Sequence, residues 1–62
     1  MNAPAAVWTP TDMARKRRMI ARLDAGELRG WFDAMRAAMG APPFDGELAA
    51  LQDRARELGV VL

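Results

Sequence analysis

Residues 24–40, DAGELRGWFDAMRAAMG, constrain this chain more than any other stretch. At 100° per residue Leu28, Trp31, Phe32, Met35, Ala38 and Met39 fall within one arc of about 120°. Their spacing is that of a helix and not of a strand. Gly30, Ala34 and Ala37 form an adjacent face with almost no side-chain bulk. Only Arg29, Asp33 and Arg36 remain for water. So narrow a polar strip predicts a helix covered on two sides, which makes it the middle of a bundle, an interface helix, or both.

The flanking sequence punctuates this helix. Asp24 and Glu27 have capping-box spacing, and Leu23 and Leu28 have the spacing of a hydrophobic staple. A continuous helix through Gly26 is the competing reading. It is disfavoured because Glu27 interrupts the apolar phase. Gly40 is placed to end the helix in the left-handed conformation, and the prolines at 42 and 43 forbid its continuation.

Two further helices follow from the same signals. Thr9, Pro10 and Asp12 read as N-cap, first helical residue and third helical residue, with Trp8 and Met13 at staple spacing. This first helix is expected over 10–23, with Met13, Met19, Ile20 and Leu23 on its apolar side. Lys16 and Arg17 flank that side, where their stems cover apolar surface. Asp45 is the expected N-cap of a third helix over 46–58. There Leu48, Leu51, Ala55 and Leu58 make a narrow seam, and Gly59 closes it. The expected fold is therefore all-α: three short helices (10–23, 25–39 and 46–58) with the second central. A flexible N-terminal arm, 1–8, precedes a single small domain, 9–62.

Chain length limits how stable such a bundle is on its own. For 62 residues, folding buries roughly 6,000 Å². If about 60% of that is apolar, the hydrophobic gain is about 90 kcal/mol. Ordering the chain costs about the same. No cysteine or histidine is present to add a disulfide or a zinc site. A homo-oligomer or a larger protein partner is the physical expectation.

The same absences bear on chemistry. Without His or Cys, metal binding and thiolate chemistry are not expected, and no cofactor is implied. Asp24, Glu27 and Asp45 read as caps, Asp33 as an ion-pair partner of its neighbouring arginines, and Asp53 as a partner of Arg56. No carboxylate stands in an evidently apolar setting. Thr9 and Thr11 have no base nearby, so the chain is not expected to be an enzyme. No signal peptide or membrane span is visible, and the cysteine-free composition suits a cytoplasmic protein.

Two surfaces are candidates for function. Trp8, Leu28, Trp31, Phe32, Met35 and Met39 form a candidate protein-partner interface, in which methionines beside aromatics suit an adaptable contact surface. Arg15, Arg18 and Arg22 form a stripe on the first helix able to meet an anionic partner. Residues 1–40 carry seven Arg/Lys against four Asp/Glu, and residues 41–62 two against four, so the basic excess lies in the first part of the chain. The leading expectation is a protein–protein interaction module: a small regulator, adaptor or accessory subunit, self-associated or bound to a larger protein. A small nucleic-acid-binding regulator using the basic stripe is the alternative, weakened by a net charge of only +1.

Overall fold

A computed structural model describes residues 8–40 and 42–62. It contains three helices, α1 (Pro10–Ile20), α2 (Ala25–Arg36) and α3 (Glu47–Leu58), and no strand among the described residues. The three-helix, all-α expectation holds. Residues 1–7 of the expected arm lie outside the described residues. Trp8, its last residue, packs against the core.

Local signals start the first two helices where the sequence places them. The Thr9 side chain accepts from the Asp12 backbone N–H at 3.1 Å, and Pro10 begins α1. At α2 both arms of the capping box form: Asp24 Oδ1 accepts from the Glu27 N–H at 2.8 Å, and Glu27 Oε1 accepts from the Asp24 N–H at 3.0 Å. Four otherwise unpartnered groups at one helix start are thereby reduced by two, one way to break what could have been a continuous helix.

The helix ends depart from expectation. α1 stops at Ile20, three residues short of Leu23. The Arg22 and Leu23 N–H groups bond the Met19 and Ile20 carbonyls at 3.1 and 3.2 Å, a tightened final turn. The Leu23 carbonyl, freed from helical pairing, accepts Arg54 Nε of α3 at 2.9 Å. α2 likewise stops at Arg36 and not at Met39. Its Schellman pair, Met39 N–H to Ala34 O at 3.0 Å and Ala38 N–H to Met35 O at 3.1 Å, closes the helix two residues before Gly40. The left-handed residue is Ala38, at φ 56°. An alanine there carries a Cβ that a glycine lacks. Ala38→Gly is therefore expected to stabilise the fold by up to about 1 kcal/mol, raising Tm by several degrees in a thermal melt.

The start of α3 is a correction of chemistry. Its N-cap is Gly46, at φ 88° and with no side-chain cap bond, and not Asp45. Glu47 folds its own carboxylate back toward the Phe44 N–H, at 3.5 Å. Gly59 ends α3 as expected, at φ 71°, with the Val60 N–H on the Ala55 carbonyl at 2.9 Å. Val60 and Leu62 fold back against the core, and Arg29 Nη2 donates to the Val61 carbonyl at 2.9 Å.

The core consists of Ile20, Leu28, Phe44, Leu51 and Ala55. The central helix is α3 and not α2: α3 packs against both other helices, while α1 and α2 scarcely meet. The wide apolar arc of α2 is covered by α3 on one side and by cationic side chains on the other. Arg29 and Arg36 lie over the Phe32 ring at 6.0 and 5.7 Å, and Lys16 lies 5.6 Å from the Trp31 ring. Long charged side chains thus do the covering that a further helix was expected to do. Two apolar assignments also fail, since Met19 and Leu48 are 45% and 46% exposed. The seam of α3 begins at Leu51, because Glu47 takes the inward place one residue before Leu48.

Candidate functional site

The splay of α1 and α2 over α3 leaves a groove between them. It is an open cavity of about 300 Å³, lined by Trp8, Lys16, Trp31, Ala34, Met35, Met39 and Glu47. Each element contributes for a local reason. Trp8 stands immediately before the N-cap of α1, and its indole Nε1 donates to the Pro42 carbonyl at 2.8 Å. Its ring meets Phe44 edge-on, with centroids 5.9 Å apart and planes at 68°. Trp31, Ala34 and Met35 share a face of α2 by their i, i+3, i+4 spacing. Met39, whose N–H closes the Schellman turn, is 69% exposed at the groove's edge.

Two charged residues complete the lining. Glu47 is the one buried charged residue among the described residues, at 8% exposure. This departs from the expectation that no carboxylate sits among apolar groups. Its Oε2 accepts from the Trp31 indole Nε1 at 3.4 Å while its other oxygen faces the Phe44 N–H. Lys16 extends its ammonium between the two indoles, 5.9 Å from Trp8 and 5.6 Å from Trp31. The groove therefore has aromatic and methionine walls, a carboxylate on one side and an ammonium on the other. The Phe44-to-Glu47 spacing, one residue acting back on the third before it, is the sequence signal that could have found Glu47. Lys16 was legible only as a flanking cation.

The sequence-derived interface residues divide accordingly. Trp8, Trp31, Met35 and Met39 come together in the groove. Leu28, with no exposed surface, belongs to the core and is no candidate for contact. Phe32 is half-buried beneath Arg29 and Arg36, outside the lining.

Arg15, Arg18 and Arg22 are all exposed, but only the first two are on α1; Arg22 sits in the turn after it. None of the three forms an ion pair or a side-chain hydrogen bond among the described residues. The other five arginines are all engaged. Arg17 bonds the Asp45 carbonyl at 3.1 Å and lies over Phe44. Arg29 holds Val61, Arg36 covers Phe32, Arg54 holds Leu23, and Arg56 pairs with Asp53. A second hollow, about 250 Å³ between α1 and α3, is rimmed by the Arg54–Glu57 pair and Arg17.

Among the described residues no group of His, Cys, Asp and Glu is arranged to hold a metal ion, and no helix is long and apolar enough to cross a membrane. No protein-family model, curated protein or solved structure matches the chain. The groove's own geometry therefore carries the functional reading.

Proposed function

We propose that this chain is a non-enzymatic protein-interaction module, a cytoplasmic regulator, adaptor or accessory subunit, that receives a helix of another protein in the groove between α1 and α2. The observation that supports it is the splay itself. Two helices lean on α3 without closing on each other, and the gap is walled by Trp8, Trp31, Met35 and Met39. A partner helix fits such a gap by its apolar stripe, and tryptophan and methionine suit the pocket that receives its anchors. Lys16 and Glu47, of opposite sign, give the groove a polarity that selects orientation more than it adds affinity.

Ala34 offers a direct test, because it lines the groove without belonging to the buried core. Ala34→Arg should leave the far-UV circular dichroism and Tm close to wild type, because an arginine there can extend toward water. It should also fill the gap. A protein retained by the wild-type chain in a pull-down and lost, by tenfold or more, with the variant is the expected result. Equal retention by both would remove the groove from the reading. Concentration-dependent sedimentation that Ala34→Arg abolishes would identify a second copy of the chain as the occupant instead.

A further inference from the structure

We infer that the helix received by the groove carries both signs of charge on its docking face: a carboxylate that meets the Lys16 ammonium, and a lysine or arginine that meets the Glu47 carboxylate, beside an apolar anchor. This rests on the proposed groove function and adds the chemistry of the partner.

The fold leaves two charges without a counter-ion among the described residues. Glu47 is 8% exposed. Its carboxylate receives the Trp31 indole N–H at 3.4 Å and the Phe44 N–H at 3.5 Å, against about 2.7–2.9 Å for a strong charge-assisted bond. The ion pairs among the described residues are Arg29–Asp33, Arg54–Glu57 and Arg56–Asp53, so none includes Glu47. The positive end of α3 offsets part of the cost of burying a carboxylate, but a buried charge is ordinarily paired as well. Lys16 is half-buried and enters none of those pairs either. Its ammonium lies 5.9 Å from the Trp8 ring and 5.6 Å from the Trp31 ring, near the outer limit of about 6 Å for that attraction. Ring faces occupy none of its N–H donors in a conventional hydrogen bond.

Both charges face the same space. Lys16, from α1, and Glu47, from the first turn of α3, line one groove, and both are set against the Trp31 indole of α2. They do not pair with each other across it. One sign of charge on an occupant cannot serve both. An acidic helix would bring a like charge against Glu47, and a basic one would bring a like charge against Lys16, contacts that are costly at an interface. A helix with one residue of each sign satisfies the two together. Because both charges flank a single indole, their complements on a helix lie within about one to two turns, as at i and i+4 or i and i+7. Trp8, Trp31, Met35 and Met39 supply the apolar surface for the anchor. Arg15, Arg18 and Arg22 do not line the groove and make no demand on its occupant.

The test begins with a selection from a displayed library of helical peptides, every position randomised, against the full chain. Tryptophan emission serves as the binding readout, because both tryptophans line the groove. Enriched peptides should carry apolar residues at i, i+3 or i+4, and i+7, with one Asp or Glu and one Lys or Arg bordering them on that face. Double-substitution cycles between peptide and chain then locate the contacts. Replacing the peptide's base by Gln should weaken binding to the wild-type chain about tenfold, and to Glu47→Gln hardly at all. Replacing its acid by Gln should do the same with the wild-type chain and with Lys16→Gln. Glu47→Gln keeps an acceptor for the Trp31 and Phe44 N–H groups. A merely structural Glu47 would therefore leave its cycle uncoupled, which would overturn the inference. If Glu47→Gln fails to fold, the cycle at half-buried Lys16 decides alone. Enriched apolar peptides lacking the two charges, or carrying them without coupling to Lys16 and Glu47, would overturn the two-signed docking face and leave the groove reading standing. Failure of any apolar helical pattern to enrich would overturn both.

Discussion

Replacing Leu51 by alanine is expected to abolish cooperative folding at 25 °C, while the same change at Leu48 should be almost silent. Leu51 has no exposed surface and lies on α3, the helix against which both others pack. Truncating such a leucine costs about 3–5 kcal/mol, the transfer term plus the cavity left behind. A chain of this length has about 3–9 kcal/mol of stability in total, with small cores toward the low end. The lost term therefore removes most of the margin. Leu48 is 46% exposed, so its truncation should cost less than about 1 kcal/mol. Urea denaturation followed by circular dichroism distinguishes the two. Comparable losses at both positions would mean that Leu48 is covered in solution, and sedimentation would then show whether a second copy covers it.

That pair of leucines also marks where sequence reasoning stops. Leu48, Leu51, Ala55 and Leu58 have one helical period, and period alone treats the first two alike. What separates them is Glu47, whose carboxylate turns inward to the Phe44 N–H and the Trp31 indole and displaces Leu48 outward. The starts of α1 and α2 were legible because a cap is a local device: Thr9 with Asp12, and Asp24 with Glu27, each bond within four residues. The ends were less so. At Leu23 the deciding partner, Arg54, lies 31 residues away. At Ala38 an unfavourable left-handed alanine does what Gly40 was placed to do.

The central helix was misplaced for a related reason. Apolar width on a helical wheel measures how much surface needs covering and not what covers it. On α2 the width is real, but Arg29, Arg36 and Lys16 cover part of it. α3 takes the middle with a narrower stripe, where Ala50 and Ala55 let its neighbours approach. The groove was legible only as a set of aromatic and methionine residues. Its walls come from three elements whose relative placement no local period encodes. Four of the six residues expected at an interface meet there because they already shared a face, or, for Trp8, because of a loop carbonyl distant in sequence. The arginine stripe was legible for Arg15 and Arg18, whereas Arg22 lies in the turn after α1. That Arg15, Arg18 and Arg22 make no ion pair or side-chain hydrogen bond among the described residues required the fold.

Trp8 is where a local and a tertiary reading give different numbers. As a staple to Met13 alone, it would contribute on the order of 1 kcal/mol through one side-chain contact at a helix entry. In the structure its indole N–H donates to the Pro42 carbonyl at 2.8 Å, its ring meets the buried Phe44 edge-on, and Lys16 lies over it at 5.9 Å. A full core tryptophan costs about 3–5 kcal/mol on truncation. Trp8 is half-buried, so Trp8→Ala is expected to cost about 2–3 kcal/mol. Trp8→Phe keeps an aromatic ring against Phe44 and loses the indole bond, so about 1 kcal/mol should be lost. The separation of these two variants in a denaturant titration is the informative quantity. If Trp8→Ala costs no more than Trp8→Phe, the ring adds nothing beyond its hydrogen bond and the groove loses a fixed wall. If the two differ as expected, the residue joining α1 to the loop before α3 also sets the groove's shape. Binding of a groove ligand should then weaken in Trp8→Ala even under conditions where that variant is fully folded.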